Sequence, residues 1–79
     1  MDQAQRKAWI IARLSGDKFE NIHEAWAVVG GEFNSLEGMP FGMKTRPNHI
    51  FTDFIDNRIS GPESVRAFLE VVESIPDGA

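Results

Sequence analysis

Three side chains near the middle of the chain have types and spacing that could hold a cation. His49, Asp53 and Asp56 stand at i, i+4 and i+7, so a helix would carry an imidazole and two carboxylates on one face. A divalent site takes three or four ligands with supporting hydrogen-bond partners, and no fourth ligand stands nearby. The alternative is a solvated helix face, with Asp53 favourable near the helix N-terminus. We therefore predict no metal site.

Acid–base or nucleophilic chemistry has weaker support. His23 stands between Glu20 and Glu24 but adjoins an apolar seam, where a histidine is more often a boundary residue than a catalyst. No serine or threonine stands in a nucleophile motif such as GxSxG. The Gly30–Gly31 pair is not part of a phosphate-binding motif. We predict a non-enzymatic protein without a catalytic residue or a cofactor.

The densest basic group surrounds a tryptophan. Trp9 lies between Arg6 and Arg13, with Lys7 adjacent, so the ring could stack on a base while the cations hold phosphates. However, the net charge is −4, and the whole acidic excess lies in residues 53–79. A nucleic-acid-binding chain normally has the opposite balance. We expect Trp9 to pack at a subunit or partner surface with an arginine over its ring, and we do not expect nucleic acid as a partner.

Residues 31–47 contain the strongest indication of function. Met39, Phe41 and Met43 alternate, so an extended chain would project them to one side, and Lys44 and Arg46 follow. Methionine adapts to irregular surfaces and phenylalanine offers a large rigid area, so these residues suit contact with an acidic, grooved partner.

An alternative is that this loop folds back and covers a thin core. The two interpretations can coexist if Phe33 and Leu36 turn inward while Phe41 and Met43 face outward. The partner-binding residues that we predict are Met39, Phe41, Met43, Lys44, Arg46 and Trp9.

Length and composition limit the class of protein. Seventy-nine residues make one small domain with a thin core, so self-association is an open expectation. The absence of cysteine rules out disulfides and suits a reducing, cytoplasmic location. No apolar run is long enough to cross a membrane, and no basic-then-apolar leader is present.

Periodic apolar residues predict helices near residues 3–15, 18–29, 49–59 and 62–75. The predicted start and stop signals are Asp2 with Gln5, Asp17, Gly30 with Gly31, Asn48, and Ser60 with Glu63. In the third segment, Phe51, Phe54 and Ile55 are predicted to form the apolar face. The expected fold is a single all-α domain, a small bundle of about four helices with a long irregular loop (about 31–47) between helices 2 and 3.

These features indicate a small protein-binding module that acts as a regulator, adaptor or inhibitor of a larger protein. The alternative is a small dimeric nucleic-acid-associated regulator. A pull-down with and without nuclease separates the two, because only a protein partner survives nuclease treatment.

Overall fold

The computed structural model describes residues 1–78. Within that range the chain forms α1 (Gln3–Gly16), α2 (Ile22–Asn34), α3 (Arg46–Ile55) and α4 (Gly61–Glu73), and no strand. The prediction of an all-α bundle of four helices with an irregular loop between the second and third is confirmed. None of these helices is long and apolar enough to cross a membrane.

Helices α1 and α4 begin at the predicted capping boxes. The Asp2 carboxylate accepts from the Gln5 backbone N–H at 2.8 Å, and the Gln5 side chain accepts from the Asp2 N–H at 3.0 Å. Ser60 and Glu63 form the same reciprocal pair at 3.1 and 2.9 Å. Pro62 lies in the first turn of α4, where its missing N–H leaves no bond unmade. Both helix starts are thus specified locally.

The second capping box gives α4 a pH-dependent start. The hydrogen bond that the Ser60 N–H donates to the Glu63 carboxylate lowers the pKa of Glu63 below its ordinary value of 4.5. A lowered folded-state pKa means that this stabilisation is present above the unfolded-state pKa and is lost as pH falls through the folded-state pKa. Glu63→Gln keeps the capping geometry without the charge. We therefore expect the variant to lose less stability than the wild type as pH falls below about 4.5.

Denaturant titrations across that pH range test this expectation. Glu73→Gln is the matched control, because Glu73 is exposed on the same helix and caps nothing. Parallel pH profiles for wild type and Glu63→Gln would contradict the assignment.

Helix α2 begins later than predicted. Asp17, the predicted N-cap, instead follows the end of α1, and its N–H donates to the Arg13 carbonyl. The observed N-cap is Asn21, whose side chain accepts from the backbone N–H groups of His23 and Glu24. Both residue types suit an N-cap, so local sequence alone did not choose between them.

Helix α2 also ends later than predicted, because the two glycines do not stop it. The helix continues through Gly30 and Gly31 to Asn34. Gly30 is buried, and a Cβ at this position would lie 2.6 Å from Cε2 of Trp26. A glycine is therefore required at position 30 because the Trp26 ring lies against it. Its role is to permit this packing, not to end the helix.

Helix α3 begins at Arg46, two residues before the predicted cap Asn48. Its core-facing residues include the buried Pro47 and Ile50, which were not among the residues predicted to form the apolar face. The helix ends at Ile55, which was predicted to face the core but is 63% exposed. The core-facing stripe is Pro47, Ile50, Phe51 and Phe54 at i, i+3, i+4 and i+7, and Ile55, the last residue of the helix, falls outside it.

Helix α4 is the centre of the bundle. It packs against all three other helices, as α2 does, while α1 and α3 have no contact with each other. Helices α1 and α3 therefore flank an α2–α4 pair.

The core is aromatic at its middle. The ring centroids of Phe33 and Phe68 are 5.3 Å apart, and the Trp26 ring lies 5.6 Å from Phe33 and 5.7 Å from Phe68.

The starts of α2 and α4 are held together by a polar contact in the core. The buried Ser64 hydroxyl accepts from the Ile22 N–H at 2.9 Å and donates to the Gly61 carbonyl at 2.6 Å. Beside it, the backbone at Gly61 lies so close to the Glu20 carbonyl oxygen that a Cβ would overlap that atom. Gly61 thus permits the approach and Ser64 satisfies the buried N–H.

Candidate functional site

The loop between α2 and α3 is shorter than predicted, residues 35–45 rather than about 31–47. Its first part is fixed to the bundle. Leu36 is buried in the core, as is Phe33 at the end of α2, so the inward half of the sequence prediction agrees with the structure. Gln3 holds the next residue, because its side chain donates to the Glu37 carbonyl at 2.9 Å and accepts from the Glu37 N–H at 3.1 Å.

The tip of the loop is an ordered turn. The Met43 N–H donates to the Pro40 carbonyl at 3.0 Å, and Gly42 has a φ of +83°. A turn with glycine at its third position is well suited to this positive φ. The Thr45 hydroxyl then donates to the Gly42 carbonyl at 3.2 Å. These bonds define the direction of the side chain at the second position of the turn, Phe41.

Phe41 is the most exposed large apolar side chain in residues 1–78, at 109% of its reference area. Met39 and Met43 are half-buried and pack against the core, and the Met43 sulfur accepts from the Ser74 hydroxyl at 3.7 Å. The three residues were predicted to project together. The structure separates them, because the turn between Pro40 and Met43 interrupts the extended geometry on which alternation depends.

A groove lies beside this turn, between α3 and α4. Its volume is about 230 Å³, and we call it the α3–α4 groove. The residues that line it are Met43, Arg46, Ile50, Ala67, Glu70, Val71 and Ser74. Two predicted site residues, Met43 and Arg46, therefore line this groove, and Met43 is two residues from the exposed Phe41.

The α4 wall of the groove was missed from the sequence. Ala67, Glu70, Val71 and Ser74 recur at i, i+3, i+4 and i+7, so they share one helix face. Ala67 supplied a signal, because a small residue within a stripe of larger apolar residues leaves a hollow on the helix surface. Arg46 in the groove and Lys44, the residue after Met43, are both exposed, and neither is in an ion pair within residues 1–78.

Trp9 is not part of this surface. It lies on α1, which has no contact with α3, and it packs half-buried against the core. The Arg13 guanidinium lies over its ring at 5.7 Å from the centroid and pairs with Asp17 at 2.8 Å. The expected arginine–tryptophan contact is present, but the structure does not bring Trp9 together with the other predicted site residues.

The remaining basic side chains around Trp9 are also paired with acids. Arg6 contacts Glu32 at 2.8 Å, and Lys7 contacts Asp77 at 3.1 Å. These contacts tie α1 to α2 and to the segment after α4. To reach these cations, the phosphates of a nucleic acid would have to displace the paired carboxylates. The pairing therefore weakens the attraction of this basic group for nucleic acid.

Two members of the histidine–aspartate trio, Asp53 and Asp56, pair with a cation of the chain itself, Arg58. Arg58 Nη1 lies 3.0 Å from Asp56 and 3.4 Å from Asp53. Across residues 1–78, no group of three or more histidine, cysteine or acidic residues is placed to hold a metal ion. His23 is exposed and its ring contacts Phe51 and Phe54, with centroids 4.8 and 5.8 Å away.

The surface that combines most of the predicted residues is therefore Phe41 with the adjoining α3–α4 groove. Arg46 and Glu70 line the groove, and the exposed Lys44 follows the groove residue Met43 in the chain. What this surface can do has to be inferred from its own residues, since no protein-family model, curated protein or solved structure matches the chain.

Proposed function

We propose that the chain is a non-enzymatic protein-binding module that regulates, adapts or inhibits a larger protein, with Phe41 as its anchor. The observation that carries this proposal is a fully exposed phenylalanine on a turn that is internally hydrogen-bonded. Burying such a side chain is worth about 1.5–3 kcal/mol. The fixed turn also reduces the conformational entropy that binding would cost.

The surroundings of Phe41 favour a protein partner. In the α3–α4 groove, Met43 offers a flexible apolar side chain and Ile50 a rigid one. Lys44 and Arg46 add positive charge that no acidic side chain pairs with in residues 1–78. An aromatic anchor beside a polar rim is the usual anatomy of a protein interface. By contrast, the basic group on α1 is engaged by acids, so the observed ion pairs do not favour the nucleic-acid alternative.

Phe41→Ala should separate binding from folding. Because the side chain is fully exposed, its loss should change the free energy of unfolding by no more than about 0.5 kcal/mol. Loss of a central anchor should weaken binding by about 2 kcal/mol or more, roughly 30-fold in Kd. Thermal melts measure the first effect, and capture from nuclease-treated extract of the source cells, followed by titration of the captured protein, measures the second.

Ile55→Ala is the matched control, since Ile55 is also an exposed apolar residue but does not line the groove. A partner held by wild type and Ile55→Ala, and lost with Phe41→Ala, supports the proposal. Equal capture by all three, or capture that nuclease abolishes, contradicts it.

A further inference from the structure

We infer that Phe41 binds an apolar pocket whose rim carries carboxylates, so that the larger protein meets this chain through an acidic surface. The inference rests on the proposed function and names the chemistry of its partner. It is carried by the charge around Phe41, which is opposite in sign to the charge of the rest of the chain.

The segment around Phe41 contains bases and no acid. Residues 38–52 include Lys44 and Arg46, two of the eight lysines and arginines, but none of the twelve acids. The rest of the chain therefore holds six of these bases against twelve acids, a net charge of −6. Net positive charge is thus concentrated in the segment that carries the exposed ring, and a negative partner is attracted to that segment.

Both cations keep their charge available to a partner. Lys44 and Arg46 are exposed, and neither is in an ion pair within residues 1–78. Glu70 lines the α3–α4 groove with Arg46, but no ion pair joins the two. Helix α3 adds to the positive potential, because Arg46 is its first residue and its first turn contains no acid. An arriving carboxylate therefore has no carboxylate of the chain to displace.

The turn keeps Phe41 close to this charge. Consecutive Cα atoms are about 3.8 Å apart, so the Cα atom of Lys44 lies at most about 11 Å from that of Phe41. The hydrogen bond from the Met43 N–H to the Pro40 carbonyl bends the chain here and shortens the distance. At physiological salt the Debye length is about 8 Å, so a surface in contact with the ring still experiences the charge of Lys44.

Other exposed apolar side chains stand beside acids. Apart from Phe41, the large ones in residues 1–78 are Met1, Val28 and Ile55. Each has an acid next to it in the chain or one helical turn away, respectively Asp2, Glu24 with Glu32, and Asp56. Phe41 alone among them combines an exposed ring with nearby cations. Charge complementarity selects partners and speeds their encounter, so an acidic surface selects Phe41 over the other three.

A nucleic acid also carries negative charge, but its charge pattern suits this surface less well. Phosphates recur along a whole strand, and a single-stranded site extends over several nucleotides. Strand that extends beyond residues 38–52 would meet the remainder of the chain, whose net charge is −6. The acidic rim of a protein pocket is local, so it is attracted by the segment without that repulsion.

Magnetic resonance titration of the purified, isotope-labelled chain tests the charge preference. The probes are the peptide Glu-Glu-Leu-Trp-Leu-Glu-Glu, the same peptide with glutamine in place of glutamate, and a short oligothymidylate. We expect the glutamate peptide to shift the amide signals of residues 41–46 and to bind about 5-fold more tightly than the glutamine peptide, since exposed ion pairs contribute modestly. Equal binding of the two peptides, or tighter binding of the oligothymidylate at these residues, overturns the inference.

Lysine variants locate the preference. Lys44→Gln should reduce the advantage of the glutamate peptide about 3-fold, whereas Lys18→Gln should leave it unchanged, because Lys18 is exposed in the α1–α2 link. Equal effects of the two variants would assign the preference to overall charge and overturn the inference. These measurements need no captured protein. A chain that captures a partner through Phe41 but shows no preference for the glutamate peptide keeps the proposed function and loses this inference.

Discussion

Phe68→Ala is expected to leave the chain largely unfolded, or to lower its melting temperature by more than about 12 °C. Phe68 lies on α4, is fully buried, and contacts the rings of both Phe33 and Trp26. Truncating a buried phenylalanine costs about 3–5 kcal/mol through lost burial and the cavity left behind. A domain of this length has about 4–12 kcal/mol of total stability, at about 0.05–0.15 kcal/mol per residue.

Circular dichroism melts and denaturant titrations measure this effect. Phe41→Ala is the matched control, because it removes the same atoms from a side chain with no buried area. The two variants should differ by about 3 kcal/mol or more in the free energy of unfolding. Similar melting curves for both would mean that Phe68 is not at the centre of the core.

Gly61→Ala is expected to destabilise the fold by about 2–6 kcal/mol, an unusually large effect for one added methyl group. The new Cβ would overlap the Glu20 carbonyl oxygen, which is backbone and cannot rotate away. Overpacking of this kind costs about 1–3 kcal/mol. Moving the two segments apart also strains the bond from Ile22 N–H to Ser64, and an unsatisfied buried N–H costs about 1–3 kcal/mol.

Gly31→Ala is the control and should change stability in the opposite direction. Gly31 lies within α2, and no atom lies within 4 Å of the position its Cβ would take. Alanine there should stabilise the helix by about 0.5–1 kcal/mol. Opposite signs for the two substitutions in denaturant titrations would confirm that Gly61 is required by packing, while equal effects would contradict it.

The sequence predicted best those elements whose ends are determined by neighbouring residues. The capping boxes of α1 and α4 involve side chains three residues apart, so their chemistry is visible in the sequence. The ends of α2 were wrong because they depend on contacts that form only in the fold. Gly30 looks like a helix stop until the Trp26 ring is seen to occupy the space beside it.

The candidate site was only partly predictable, because it too depends on contacts that form only in the fold. Alternation of Met39, Phe41 and Met43 suggested a common face, but burial of Met39 and Met43 is decided by the turn at Gly42 and by the packing of α4. The groove itself requires α3 and α4 to be placed side by side, which no local pattern reports. Trp9 was predicted at a subunit or partner surface from the arginines beside it in the sequence, but its helix has no contact with α3.

The central position of α4 has a consequence for synthesis on the ribosome. α4 follows the other three helices in the chain, yet it is the helix on which they all pack, and it carries the buried Val65, Phe68, Val71 and Val72. Many domains begin to fold as their N-terminal parts emerge. A nascent chain that ends before residue 61 can pack α1 and α3 only on α2, and it lacks the buried α4 side chains that complete the core. Translation stalled at that point would leave apolar helix faces open to chaperones and proteases, and folding would await the last quarter of the chain.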